Sequence, residues 1–271
     1  MALFRRKIAI DERAGDKNRL AIGLGNLADD LLKLGQLREA GQSLLRRIEL
    51  TREIGREHRE AIGHRDLGRL LAYQSDFDAS LSELDAALFS FRKQNKKQPE
   101  CVVWAYRSLR ALLMNDPDEA LDAARQSREL ADVKHRERDI IRAEWLLGWS
   151  LIAKSPAHAD DHLTEALTRC RRINLIELEP HILLALARLH HDASYAIEAL
   201  AIADRCEYRL VQADCHNVLA RLVPERAQFH AQKAYDYAWC DGPPFCYKPA
   251  LDEAEELLGR KRAPSTEQAN S

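Results

Sequence analysis

Two histidines, His158 and His162, have the spacing of a metal-binding pair. Residues four apart lie on one face of a helix, so both imidazoles could bind one zinc ion. The zinc-protease pattern HExxH also needs a glutamate directly after the first histidine, and Ala159 stands there instead. The sequence therefore favours a solvated helix face, and we expect no metal and no cofactor.

The residue types of a thiol protease occur together in Cys215, His216 and Asn217. Successive helical side chains point about 100° apart, so contiguous residues cannot converge on one reaction centre. The sequence also has no GxxxxGK[ST] phosphate loop, and its six cysteines include no CxxC pair. We predict a non-enzymatic protein whose cysteines are mostly buried free thiols.

A basic segment runs from Arg92 to Arg110, where six cationic side chains accompany the single acid Glu100. Nucleic-acid binding by a helical repeat is one hypothesis for this segment, and a solvated loop is the other. The chain has 41 Lys and Arg against 43 Asp and Glu, so it lacks the overall positive charge typical of non-specific nucleic-acid binding. A surface that follows a nucleic-acid backbone would also need a basic stripe on successive units, so we favour the solvated loop.

An internal repeat determines the elements that position these residues. Ala21-Ile22-Gly23 recurs forty residues later as Ala61-Ile62-Gly63, and Leu27 corresponds to Leu67 and then to Leu147. A fixed period of this length indicates stacked units that bury their apolar faces only against one another. Eleven glycines and nine prolines in 271 residues are few, which predicts helices, two in each unit.

Small residues recur where the two helices of a unit would cross, because close backbone approach needs small side chains. Together with the leucines they form three similar patterns: Leu24-Leu27-Ala28-Leu31-Ala40-Leu44, Leu67-Gly68-Leu71-Ser80-Leu84-Ala87 and Leu147-Gly148-Leu151-Ala159-Leu163-Ala166. These patterns resemble the tetratricopeptide repeat family, although the family's usual unit has about thirty-four residues. The family prefers apolar or small residues at the positions held here by Arg47, His64 and Glu144.

The resemblance implies an all-α fold, a right-handed superhelical solenoid of antiparallel helix pairs with a concave groove. The expected core includes nine leucines: Leu27, Leu31, Leu44, Leu67, Leu71, Leu84, Leu147, Leu151 and Leu163. Arg107 interrupts the third unit at the position of Leu27 and Leu67. That interruption predicts a phase slip of about two residues in the third unit.

The array is predicted to span residues 1–259. Residues 1–16 resemble the second helix of a hairpin whose first helix is absent, which suggests a lost upstream domain or a self-association surface. Residues 247–259 are predicted to form a capping helix, and residues 260–271 a disordered tail. No apolar run approaches the ~20 residues of a membrane span, and the amino end does not resemble a signal peptide, so we predict a cytoplasmic protein.

The segment from Trp239 to Tyr247 combines a helix stop, tandem prolines and aromatic residues. Its expected role is to cover the last hairpin. The same segment is similar to the carboxyl-terminal end of repeat arrays in bacterial signal-transduction ATPases of the STAND class. That similarity implies the recognition or sensor part of a bacterial regulatory or defence system, working with an upstream or separate NTPase switch domain.

In tetratricopeptide-like arrays the first helices of successive hairpins line the groove, which predicts the side chains that face a ligand. The twelve groove positions are Asp29, Lys33, Arg65, Arg69, Tyr73, Arg142, Trp145, Trp149, Arg188, His191, Asn217 and Arg221. Arginine, tryptophan and tyrosine often dominate binding energy, and arginine suits carboxylates. The expected partner is a protein or peptide segment that carries acidic and apolar groups. For Trp145 and Trp149 the alternative is packing between repeats as part of the core.

Overall fold

The computed structural model describes residues 2–134 and 136–260, and within these ranges the chain forms helices joined by turns, without a strand. The helices are α1 (Ala2–Arg13), α2 (Lys17–Lys33), α3 (Leu37–Glu53), α4 (Glu57–Tyr73), α5 (Phe77–Lys93), α6 (Lys97–Leu113), α7 (Pro117–Lys134), α8 (Glu137–Leu151), α9 (Pro156–Arg172), α10 (Glu179–His190), α11 (Ala193–Cys206), α12 (Arg209–Leu222), α13 (Ala227–Ala238) and α14 (Lys248–Leu257). A 3-10 turn at Pro224–Arg226 precedes α13. The predicted tail lies outside the described residues beyond Arg260.

Turn residues with a left-handed backbone recur every twenty residues in the first half of the chain. The residues with positive φ at these turns are Gly15, Gly35, Gly55, Ser75, Asn95 and Asn115. Glycine adopts this conformation without a Cβ penalty, and asparagine tolerates it. Helices α2 to α6 each have 17 residues, and two such steps make the forty-residue unit. The predicted all-α solenoid of antiparallel helix pairs is confirmed.

The third unit keeps this period, so the predicted phase slip is wrong. Helix α6 begins at Lys97, twenty residues after α5 begins at Phe77. Arg107 occupies the leucine position, where its guanidinium lies 4.9 Å from the centre of the Trp104 ring and pairs with Asp85. A long aliphatic stem with a paired charged end can fill a half-buried position, so the helix needs no shift.

The small residues lie where the two helices of a hairpin cross. A Cβ atom on Gly68 would lie 2.7 Å from Leu84 Cγ, and one on Gly148 would lie 2.5 Å from Leu163 Cγ. Ser80 Oγ uses the close approach to donate a hydrogen bond of 2.6 Å to the Gly68 carbonyl. The sequence pattern therefore placed these crossings correctly.

The apolar core runs along the array between the helix pairs. Seven of the nine predicted leucines are buried: Leu27, Leu31, Leu44, Leu67, Leu84, Leu147 and Leu163. Leu71 and Leu151 are half-buried and pack at the edges of this core. Among the described residues, no helix is both long enough and apolar enough to cross a lipid bilayer.

Unpaired helices lie at both ends of the array. Helix α1 packs closely on α2: a Cβ atom on Gly23 of α2 would lie only 3.1 Å from Ile8 Cγ1 of α1. Helix α14 lies over α12 and α13, and Asn217 Nδ2 donates a hydrogen bond of 2.8 Å to the Ala250 carbonyl of α14. The assignment of α1 to a truncated hairpin stays a prediction.

The solenoid curves until its two ends meet. A Cβ atom on Gly35, in the turn after α2, would lie 2.5 Å from Arg209 Cδ and 3.2 Å from Cys240 Sγ. The backbone N–H of Arg38 donates a hydrogen bond of 2.9 Å to the Asp241 carboxylate. We call these five residues the closure contact. Leucines of α2 also share one apolar cluster with residues of α12 and α14, so the first and last hairpins enclose the concave side.

Candidate functional site

The concave side of the solenoid encloses a cavity of about 470 Å³. Its walls come mainly from the first helices of six hairpins, which are α2, α4, α6, α8, α10 and α12. Seven of the twelve predicted groove positions line it: Asp29, Lys33, Arg65, Arg69, Tyr73, Arg142 and Trp145. A volume in this range is typical of pockets that bind small ligands, so the cavity can hold a few side chains of a larger partner.

Trp149 and Arg188 lie beside the cavity. The Trp149 ring stacks on Trp145 with ring centroids 5.8 Å apart, and the Arg188 guanidinium lies 5.4 Å from the centre of the Trp149 ring. Trp145 is 5% exposed and belongs to the apolar core of the middle units. It therefore packs between repeats and lines the cavity at the same time.

Three predicted positions in the last, shorter units face elsewhere, and two of them contact α14. His191 is exposed at the left-handed end of α10. Asn217 is fully buried under Ala250. Arg221 Nε donates a hydrogen bond of 2.8 Å to the Glu253 carboxylate of α14. We therefore leave these three residues out of the proposed site.

The forty-residue period could have revealed further wall residues. One row consists of Gly25, Arg65, Ala105 and Trp145, and the next consists of Asn26, Asp66, Tyr106 and Leu146. The predicted slip of about two residues in the third unit would move Tyr106 out of this row. His181 also lines the cavity, but it lies in the shortened part of the array, where the period no longer applies.

Asp29 joins the first two hairpins at the cavity wall. Its Oδ1 accepts a hydrogen bond of 2.7 Å from Arg69, and its Oδ2 lies 2.7 Å from Lys33 Nζ. Burial raises the pKa of Asp29, but Arg69 and Lys33 outweigh burial and hold this pKa well below its usual value of 3.8. The Arg69 guanidinium also lies 5.0 Å from the centre of the Tyr106 ring. Arg69 is thus held in place by a charge and by an aromatic ring.

The other cavity carboxylates also have cationic partners. The ion pairs are Asp66 with Arg47 and Arg65, Asp139 with Arg142, and Glu177 with Arg138. In total the walls carry seven Lys and Arg against four Asp and Glu, which leaves a surplus of three positive charges. A charge surplus in an enclosed cleft concentrates ligands of the opposite charge, so the cavity favours an anionic ligand.

His181 adds no charge to the cavity at neutral pH. Its ring lies 5.1 Å from the Trp145 ring. Burial, together with the positive charges of Arg188 and Arg69, lowers the pKa of His181 to about 4. The imidazole is therefore neutral at pH 7 and can both donate and accept a hydrogen bond.

The basic segment from Arg92 to Arg110 is largely neutralised by acids of its own and neighbouring helices. The ion pairs are Arg92 and Lys97 with Glu100, Lys93 with Glu57, Arg107 with Asp85, and Arg110 with Glu119. Arg110 is buried, and its Nε donates a hydrogen bond of 2.9 Å to the Phe77 carbonyl. These contacts weaken the nucleic-acid hypothesis, because cations that already have partners attract phosphates less.

The histidines of the His158/His162 pair contact other side chains, and Cys215 of the Cys215-His216-Asn217 motif is buried. His158 Nδ1 lies 2.6 Å from Ser155 Oγ, and His162 Nδ1 lies 2.6 Å from Glu144 Oε2. Burial raises the pKa of the Cys215 thiol well above its ordinary value, so Cys215 is not a thiolate nucleophile. In the part of the chain that the structure describes, no group of three or more potential metal ligands comes together.

Crystal structures of two proteins have a similar fold. A Rap protein complexed with competence and sporulation factor matches with a TM-score of 0.63 and 12% sequence identity, over 89% of this chain and 65% of that protein's chain. This chain thus spans less than two thirds of the length of that Rap protein. Aspartyl phosphate phosphatase F from Bacillus subtilis matches with a TM-score of 0.56 and 9% identity, over 95% of this chain and 76% of that one. At these identities the likeness shows the helical-repeat fold alone. No protein-family model matches the chain, and no curated protein sequence matches it significantly.

Asp214 is an acid with an unusual pKa near the carboxyl-terminal end of the array. Its carboxyl group accepts a hydrogen bond of 3.2 Å from the Tyr247 hydroxyl, and the Tyr247 ring meets Tyr73 of α4 edge-on at 5.3 Å. Burial raises the pKa of Asp214 to about 7, while Arg188 opposes this rise and Glu253 adds to it. The folded protein therefore holds a proton on Asp214 at mildly acidic pH.

The wild type is expected to lose stability as pH rises because burial raises the pKa of Asp214, and Asp214→Asn should not show this loss. Between about pH 4 and pH 7 the unfolded carboxyl ionises while the folded one stays protonated, so the free energy of unfolding of the wild type falls across this range. Asparagine cannot ionise, so the variant should gain stability relative to the wild type from about pH 4 to pH 7 and then level off. Urea unfolding at several pH values measures the difference. The exposed Asp161→Asn serves as control, and a difference for Asp214→Asn that is constant with pH would contradict the raised pKa.

Proposed function

We propose that the protein is a non-enzymatic recognition module, which holds a protein or peptide segment with acidic and apolar groups in the cavity. The observation that carries this proposal is the wall itself, where surplus arginines and aromatic rings from successive hairpins face one enclosed space. Arginine offers forked donors to carboxylates, and the rings of Tyr73, Tyr106 and Trp145 offer apolar contact area. The two kinds of wall residue suit a segment that carries both kinds of group.

The comparisons support a binding role for this fold. The Rap protein of similar fold was solved as a complex with competence and sporulation factor. We propose that the present protein likewise acts in regulation, as the recognition or sensor part of a bacterial regulatory or defence system in the cytoplasm. A separate or upstream NTPase switch domain is the proposed partner that turns recognition into a response.

Arg69→Ala tests the proposal, since Arg69 joins two hairpins at the wall. Peptides selected from a displayed random library provide the probe, and fluorescence anisotropy measures their affinity. Loss of a charged contact in an enclosed site is expected to weaken binding at least about tenfold. Lys96→Ala is the control, because Lys96 is exposed at the start of α6 and does not line the cavity. Far-ultraviolet circular dichroism should be the same for both variants and the wild type.

The nucleic-acid alternative predicts the opposite order of effects. If single-stranded RNA or DNA were the ligand, Lys96→Ala and Lys97→Ala would weaken binding, and affinity would fall steeply with salt. Such a result would replace the cavity by the basic segment as the working surface. If selected peptides bind the wild type and both variants equally, the cavity assignment fails as well.

A further inference from the structure

Three buried donors in the cavity wall, on Arg47, Arg69 and Trp145, lack a hydrogen-bond partner within the described residues. Trp145 is 5% exposed, and its indole N–H has no acceptor. Arg69 donates to Asp29 through one terminal nitrogen, yet its buried Nε–H has no acceptor. Both residues line the cavity. Buried donors are nearly always satisfied in folded proteins. The unpaired donors of Trp145 and Arg69 therefore indicate an acceptor that a ligand supplies.

His181 belongs to the same corner of the cavity. Its ring packs 5.1 Å from the Trp145 ring, and the charged groups that act on it are Arg69, on α4, and Arg188, on its own helix. Both charges are positive. Among the cavity carboxylates, only Asp29 forms an ion pair with Arg69, and the charge of Asp66 also acts on Arg69; Asp66, Asp139 and Glu177 form their ion pairs with other cations of the wall. This corner therefore combines donors and positive charge with a shortage of acceptors.

We infer that this corner binds a carboxylate group of the ligand, which accepts hydrogen bonds from Arg69 Nε–H, from the Trp145 indole N–H and from His181. The inference rests on the proposed function, because it names the group by which the peptide segment is recognised. A carboxylate fits because it has several acceptor sites and carries the charge that the corner lacks. It can come from the carboxyl terminus of a peptide or from an acidic side chain.

Nuclear magnetic resonance of the full chain tests the inference directly. The protein has four tryptophans, each with its own indole N–H signal, and Trp145→Phe identifies the signal of Trp145. The probes are N-acetyl-leucine, with a terminal carboxylate, N-acetyl-aspartic acid amide, with a side-chain carboxylate, and the neutral N-acetyl-leucine amide. At least one of the two carboxylates should shift the Trp145 signal to lower field, as a new hydrogen bond does, while the neutral amide should not. The probe that binds more tightly identifies the source of the carboxylate.

Two variants separate this role from a structural one. Arg69→Lys keeps the positive charge beside Asp29 but lacks the Nε–H of arginine, so it should weaken carboxylate binding about tenfold. His181→Gln keeps a polar side chain and should also weaken it. Lys96→Gln, at the exposed start of α6, should leave the affinity unchanged. An unchanged thermal midpoint in the Arg69→Lys variant shows that the change acts on the site rather than on folding.

Failure of this inference differs from failure of the proposed function. If selected peptides bind in an Arg69-dependent way but the Trp145 signal stays in place, the peptide site stands and the carboxylate corner is wrong. If the carboxylates shift the Trp145 signal but no peptide binds, the corner stands and the proposed partner is wrong. A shift of equal size with the neutral amide also overturns the inference, because it would show apolar packing on the indole ring.

Discussion

Leucine in place of Gly148 is expected to lower the free energy of unfolding by about 3 kcal/mol or more, because it forces α8 and α9 apart. A Cβ atom at this position would lie 2.5 Å from Leu163 Cγ and 3.1 Å from the Ala159 carbonyl oxygen. Leu163 is fully buried, and the carbonyl belongs to the backbone, so neither can make room without moving a helix. Urea unfolding followed by circular dichroism measures the effect.

Thr168→Leu is the matched control for this prediction. It adds the same side chain to the exposed face of α9, where a substitution changes stability by only about 0.5 kcal/mol. The difference between the two variants isolates the helix crossing. Equal unfolding midpoints for Gly148→Leu and the wild type would show that α8 and α9 do not cross at this glycine.

The fold could be predicted from the sequence because the repeat imposes the same packing problem several times. Gly68 and Gly148 stand eighty residues apart, and each has a buried leucine of the partner helix against it. A position that recurs with the same small or apolar type signals its role even without a structure. Arg107 accounts for the wrong prediction in the third unit, because a charged residue in a leucine position resembles a change of register. Its guanidinium lies over the Trp104 ring and pairs with Asp85, so the register is preserved.

The candidate site could be predicted only in part. Arg65 and Arg69 follow the period and line the cavity, whereas Asn217, which the same period assigns to the groove, is buried under α14. Periodicity describes contacts between neighbouring units, and it carries no information on contacts between the first and last units. The closure contact joins residues about two hundred positions apart, so neither the enclosed cavity nor the burial of the last hairpin follows from the repeat.

A substitution that opens the closure contact is expected to expand the whole molecule. Gly35→Leu places a side chain where Arg209 lies, and Arg209 is held by hydrogen bonds of 3.0 Å to the carbonyls of Tyr237 and Asp236. Because Arg209 cannot move without losing both bonds, the first hairpin should separate from the carboxyl-terminal end. The radius of gyration, measured by small-angle X-ray scattering, is then expected to increase.

Gly55→Leu is the control that separates opening of the closure contact from strain in the turn. Gly35 and Gly55 have φ of 72° and 64°, so leucine suffers a left-handed penalty of roughly 1–2 kcal/mol at both positions. No atom lies within 4 Å of a Cβ atom on Gly55, so only Gly35→Leu should expand the molecule. Lys33, just before Gly35, lies 3.8 Å from Glu177 across the cavity, so the same variant should weaken ligand binding. If both variants expand, strain in the turns causes the expansion rather than loss of the closure contact. If neither expands, the apolar cluster alone holds the two ends together.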